Sequence, residues 1–136
     1  MAKNILVPID GSEQAERALD YALESFPDAS ITLLNVFTKG PPEVHLERRG
    51  KDYAELRARR GEMLDRLVEE RTFDDQIETQ VVVGRPSREI VDYAEGHEID
   101  QIVMGSHGRD GASRVLLGSV AETVVRRAPV PVTVVR

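Results

Sequence analysis

Along this chain the hydrophobic pattern switches repeatedly between strand-like and helix-like periods, with no hairpin signal between strands. Ile5-Leu6-Val7-Pro8-Ile9 is a short β-branched run that stops at Asp10-Gly11-Ser12, a turn signal and a helix start. Beyond it Ala15, Ala18, Leu19, Ala22, Leu23 and Phe26 fall on one helical stripe, closed by Pro27. Ile31 to Phe37 reads as a second strand, followed by the longest irregular segment, from Thr38 to about Lys51. Tyr53, Leu56, Met63, Leu64, Leu67 and Val68 mark a heavily charged second helix, and Ile77 to Val83 a third strand closed by Gly84-Arg85-Pro86. Ser87 is expected to cap a short helix carrying Ile90, Val91 and Ala94, with Gly96 as its stop. Gln101 to Met104 is a fourth strand. Leu117, Val120, Ala121, Val124, Val125 and Ala128 form a last helical stripe, and Val130 to Val135 a fifth strand.

Strands that alternate with helices must run parallel, because each helix carries the chain back to the starting edge. Runs such as Val81-Val82-Val83 and Ile102-Val103-Met104 are apolar on successive residues, as strands buried on both faces require. The expected class is α/β: a single doubly wound domain over residues 1–136, with helices on both faces of the sheet. At 136 residues the chain suffices for one such domain and not for two.

Composition removes several functions. Acidic side chains outnumber basic ones 24 to 18, a net charge of −6, and 3 Phe, 3 Tyr and no Trp leave little for base stacking. Nucleic acid is therefore excluded as the main partner. No apolar run approaches the ~20 residues of a membrane helix. The N-terminus leads into only five apolar residues before Asp10, which is not a secretory signal. The absence of cysteine removes disulfides, thiolate metal sites and cysteine catalysis. His45, His97 and His107 match no metal-ligand spacing. A cytoplasmic location is expected.

Two strand ends carry unusual residues: Val7-Pro8-Ile9-Asp10-Gly11-Ser12, and Val103-Met104-Gly105-Ser106-His107-Gly108-Arg109-Asp110-Gly111. The second is glycine-rich, and glycine lets backbone N–H groups approach an anion closely. Gly118-Ser119 follows at the head of the last helix, where unpaired N–H groups and the helix dipole favour negative charge. Together Gly105, Gly108, Gly118 and Ser119 spell G-x2-G-x9-G-S, which is neither the dinucleotide fingerprint nor the lysine-bearing phosphate loop. Arg109 and Arg114 supply the positive charge of this region. Plainer roles remain open beside these: Asp10 as an acceptor for Ser12 N–H, Ser119 as an ordinary helix cap, His107 as a solvated side chain.

These residues resemble the universal stress protein family, in its nucleotide-binding branch. The resemblance runs from Ile5-Leu6-Val7-Pro8-Ile9-Asp10-Gly11-Ser12 through Leu33-Leu34-Asn35-Val36, Asp100-Gln101-Ile102-Val103-Met104-Gly105-Ser106-His107-Gly108 and Leu117-Gly118-Ser119-Val120-Ala121 to Pro129-Val130-Pro131-Val132-Thr133-Val134-Val135. It implies a five-stranded parallel sheet in the order 3-2-1-4-5, with ATP where strands 1 and 4 diverge. Gly105, Gly108, Gly118 and Ser119 would hold phosphates, with backbone amides of Ser106, His107 and Val120 nearby. Pro8, Ile9 and Asp10 would border the adenosine, and the backbone of Val36 would meet the adenine edge. Met104 and Arg109 complete the expected contact set. Mg²⁺ or Mn²⁺ would accompany the triphosphate, with Asp10 close by. The family's usual homodimer forms through the last strand, here Val130 to Val135. An apolar strand with nothing after Arg136 to cover it independently favours pairing between two copies.

The function implied is that of a small nucleotide-binding, stress-response regulator, with no catalytic residue assigned. A slow ATPase or phosphotransferase is the enzymatic alternative. Against efficient hydrolysis, Lys3, Lys39 and Lys51 all lie far from the glycine segment, and only Asp110 and His107 pair a carboxylate with an imidazole there. An interaction module without nucleotide would need no particular glycine spacing. A receiver-type phosphoacceptor would want an aspartate after the third strand, where Gly84 stands.

Overall fold

The computed structural model describes residues 3–38, 50–71, 76–107 and 116–136, with the side chains of 50–52 outside the description. Asn4–Pro8 forms β1, Glu13–Ser25 α1, Ser30–Phe37 β2 and Gly50–Glu69 α2. Ile77–Val83 is β3, Pro86–Gly96 α3, Gln101–Gly105 β4, Ser119–Arg127 α4 and Val132–Val135 β5. All strand pairs are parallel, in the order β3-β2-β1-β4-β5. The α/β class and the strand order are those expected from the sequence.

Alternation along the strands divides the core in two. Ile5, Val7, Ile31, Leu33 and Val103 face α1 and α2, where they pack with Ala18, Leu19, Ala22 and Leu64. Leu6, Leu34, Ile102 and Met104 face the other way, against Ile90 and Ala94 of α3 and Ala121 and Val124 of α4. Ile5, Leu6 and Val7 are all fully buried although they point to opposite faces. A strand covered on both sides has no solvent face, which is why β1 is apolar at consecutive positions. Each buried aliphatic side chain of this kind contributes roughly 1.5–3 kcal/mol relative to exposure.

Several boundaries differ from the sequence expectation, each for a local reason. The helix expected to be capped by Ser87 begins two residues earlier: Arg85 occupies the cap position and Pro86 the first turn. Proline's missing N–H is one that a first helical turn leaves unpaired anyway, and its fixed φ suits that position. The last strand starts at Val132 and not at Val130, because Pro131 has no N–H to donate. Its carbonyl accepts from Ile102 N–H at 2.9 Å instead. Leu117 and Ala128 flank α4 and still pack on the second core. Of the expected irregular segment, residues 39–49 lie outside the described residues, and Gly50 and Lys51 already belong to α2.

Candidate functional site

In an open parallel sheet, the crevice for a ligand lies beyond the carboxyl ends of adjacent strands whose connections depart in opposite directions. Here those strands are β1 and β4: the chain leaves β1 for β2 on one side, and β4 for β5 on the other. Residues 8–12 and 104–107 therefore meet at one place, although about ninety positions separate them in sequence.

On the β1 side the chain turns at Gly11, whose φ of 88° lies in the left-handed region glycine tolerates. Asp10 is exposed, and its Oδ1 accepts from Ser12 N–H at 3.0 Å, so the plainer turn role is realised. Ser12 caps α1, its hydroxyl accepting from Ala15 N–H at 3.2 Å. Ile9 is buried and its N–H donates to the Leu34 carbonyl at 2.9 Å, extending the ladder one residue past β1. The Ile9 carbonyl, next in that ladder, accepts from the side-chain amide of Asn35 at 2.8 Å. Asn35 is fully buried, and its Oδ1 accepts from Arg60 Nη1 at 3.3 Å. Leu34 thus directs its backbone at β1, while Phe37 directs its own at Gly84 beyond β3. By the alternation of a parallel strand, Val36 turns its N–H and C=O toward the β1 side, at a level where β1 has already ended. Its side chain packs on the second core.

On the β4 side, Met104 is buried in the second core, so only its backbone faces the strand end. Gly105 lies so close to α1 that an added Cβ would sit 2.9 Å from the backbone carbonyl carbon of Gln14 and 3.1 Å from Ala15 N. Its glycine is required by helix packing, independently of any ligand. Ser106 is a node: its N–H donates to Val135 O at 2.8 Å, and its carbonyl accepts from Gly118 N–H at 2.7 Å. Its hydroxyl lies 3.2 Å from Gln14 Oε1 and 3.1 Å from His107 Nδ1. His107 N–H donates to the same Gln14 oxygen at 2.6 Å. The Ser106 and His107 amides are thus engaged within the protein.

The N-terminus of α4 closes the arrangement. Gly118 holds the cap position with extended backbone and no side chain to offer, and Ser119 stands inside the first turn, not at the cap. Among the described residues, the N–H groups of Ser119 and Val120 begin the helix without a side-chain acceptor, backed by the helix dipole. Among the described residues, no cluster of three or more His, Asp or Glu side chains could hold a metal ion. Gly108, Arg109, Asp110, Gly111 and Arg114 lie outside the described residues.

The structure therefore brings Pro8, Ile9, Asp10, Met104, Gly105, Ser106, His107, Gly118, Ser119 and Val120 to one edge of the sheet, with Val36 one strand away. Sequence reasoning passed over Asn35 and Gln14. A buried amide inside the apolar run Leu33–Phe37 was a usable signal for Asn35; a polar residue on a helix surface was none for Gln14.

A model of the universal stress protein family matches residues 1–136. The chain belongs to the universal stress protein family. Universal stress protein MJ0531 of Methanocaldococcus jannaschii is 37% identical over 98% of this chain and 82% of its own length. The solved structure of MJ0577, another universal stress protein of that organism, superposes with a TM-score of 0.86 at 33% identity, covering 99% of this chain and 96% of that one. A universal stress protein solved in complex with cAMP superposes with a TM-score of 0.64 at 28% identity, covering 98% of this chain and 96% of that one. The parallel α/β fold with strand order β3-β2-β1-β4-β5 thus matches that of solved universal stress proteins.

Proposed function

We propose that this protein binds adenine nucleotide, ATP in the first instance, in the crevice between β1 and β4, and acts as a small stress-response regulator. The observation that carries the reading is the N-terminus of α4, which reaches the crevice with glycine at its cap and no side chain on its first amides. Such an end binds phosphate oxygens through oriented N–H groups and the dipole together. Gly118, Ser119 and Val120 hold phosphate in this reading, with Gly105, Ser106 and His107 opposite; the contacts expected of Gly108 and Arg109 fall outside the described residues. Pro8, Ile9 and Asp10 border the nucleoside, and the backbone of Val36 takes the adenine edge. The relative in complex with cAMP, itself an adenine nucleotide, supports the ligand class.

Mg²⁺ or Mn²⁺ would enter with the triphosphate, which supplies its oxygens, and Asp10 is the carboxylate we assign beside it. The metal neutralises phosphate charge. The glycine-rich segment from Gly105 to Val120 carries no lysine, so in this reading the α4 amides orient the anion. The reading favours binding over turnover, in a cytoplasmic protein that works as one unit over residues 1–136.

A homodimer through the last strand belongs to the same proposal. Among the described residues β5 pairs on one side only, with β4, and its residues are half-buried. Ser106 N–H on Val135 O ties that edge strand to the wall of the crevice. Occupancy and the pairing surface are thereby in mechanical contact. Removing Val132–Arg136 should give monomers or insoluble protein; a soluble dimer of native mass after the truncation overturns the interface.

The decisive test is mass spectrometry of nucleotide released from freshly purified protein, with calorimetric titration of ATP–Mg²⁺. Stoichiometric nucleotide or micromolar affinity is the expected result. Neither bound nucleotide nor heat of binding would leave an interaction module of the same fold.

A further inference from the structure

We infer that Gln14 is a positioning residue for the phosphate half of this site, fixing both the backbone after β4 and the proton on His107. The inference rests on the nucleotide reading above and deepens it.

Gln14 lies in the first turn of α1, far in sequence from the residues it holds. Its Oε1 takes two donors, His107 N–H at 2.6 Å and the Ser106 hydroxyl at 3.2 Å. A carboxamide oxygen only accepts, so the single hydroxyl proton of Ser106 points at Gln14. The 3.1 Å contact between Ser106 Oγ and His107 Nδ1 must then be a donation from Nδ1–H to the hydroxyl. In the neutral ring, Nε2 is left carrying a lone pair. That atom is buried and meets no hydrogen-bond partner among the described residues. Gly105 makes the arrangement possible, since a Cβ there would strike the backbone of Gln14. One side chain of α1 thus dictates where the chain goes after β4 and which nitrogen of His107 is bare.

The residues assigned to the nucleoside, Pro8, Ile9, Asp10 and Val36, receive none of these bonds. Losing the Gln14 oxygen should accordingly cost affinity in proportion to the phosphates a ligand carries.

Gln14→Met keeps the side chain's length and removes the acceptor; Gln14→Ala removes both. The first readout is the ¹⁵N imidazole shift of His107 in nucleotide-free protein. Wild type should show the Nδ1–H tautomer, and Gln14→Met the Nε2–H form, because the released Ser106 hydroxyl turns to Nδ1. The second is calorimetry with adenosine, AMP, ADP and ATP–Mg²⁺. Adenosine affinity should stay within about twofold in both variants, while ATP weakens about tenfold, the size expected when buried donors lose a shared acceptor. An Nε2–H tautomer in wild type overturns the inference. So does an equal loss for adenosine and ATP, or no loss for ATP. Wild-type protein that binds none of the four ligands overturns the nucleotide reading and the phosphate role with it, while the tautomer measurement still decides whether Gln14 positions His107.

Discussion

Two helices begin at the same edge of the sheet, and the chain finishes them in opposite ways. The start of α1 is closed by its own residues: Ser12 caps Ala15 N–H, Asp10 accepts from Ser12 N–H, and Glu13 and Glu16 set negative charge in the first turn. The start of α4 has glycine at the cap, no side-chain acceptor among the described residues, and Glu122 as the acidic residue of its first turn. Both ends carry the same dipole and the same unpaired amides. In α1 one of them, Ala15 N–H, is taken by the Ser12 hydroxyl and two carboxylates face the dipole; in α4 the cap residue has no side chain to offer. If α4 is the phosphate site proposed above, the difference teaches that such a helix end is distinguished by what the chain withholds from its cap, not by its position alone.

The largest effect should come from making α4 resemble α1. Gly118→Asp supplies a carboxylate cap, which should stabilise the fold by about 0.5–1 kcal/mol and weaken ATP about a hundredfold by occupying the amides and repelling phosphate. Denaturant titration and calorimetry on the same samples check the two signs, and an unchanged ATP affinity would break the comparison. Gly118→Val belongs to the same class of largest effect: it fills that place without charge and should abolish nucleotide binding while leaving the dimer intact, and unchanged ATP affinity would sink the site assignment.

Gly105→Ala comes next. It should destabilise by about 1–3 kcal/mol, since the new methyl group has to push α1 away from β4. Urea unfolding measures this, and a neutral result would mean that the close approach to Gln14 relaxes freely. Ser12→Ala opens the closed end. It should cost about 1 kcal/mol of stability with ATP affinity within about twofold, because the end it frees is not the one proposed to bind. A large affinity change in that variant would move the phosphates to α1.

The smallest effect lies away from the crevice and serves as a control. Burial raises the pKa of Tyr93, Glu78 adds to the rise, and a hydrogen bond with Thr32 opposes it. A raised pKa in the folded state means that the neutral phenol stabilises the fold. That contribution is complete below about pH 10, the ordinary tyrosine value, and is lost as pH rises through the raised one. Tyr93→Phe should flatten the alkaline slope of stability without touching nucleotide affinity. A slope that persists in the variant would assign it to another group.

Much of this was legible in the chain because the signals are local. The β-α alternation, the Asp10-Gly11-Ser12 turn and the spaced glycines each depend on neighbours within a few residues. Boundaries failed where two local rules competed, as at Arg85-Pro86-Ser87, where proline's fit to a first turn overrode serine's fit to a cap. The glycine pattern was also read for one purpose only. Gly118 stands at an open helix end, as phosphate binding would want, whereas Gly105 is glycine because the backbone of α1 passes beside it.

The sequence by itself determined the parallel α/β class and the helical and strand faces that build the two apolar cores, because periodicity and turn residues act over one or two turns of chain. Only the tertiary structure decided that Gln14 holds Ser106 and His107, that Asn35 takes the Ile9 carbonyl, and that Ser106 bonds Val135. Those hydrogen bonds join residues brought together by strand order, and no spacing along the chain encodes which donor will face which acceptor until the sheet has assembled.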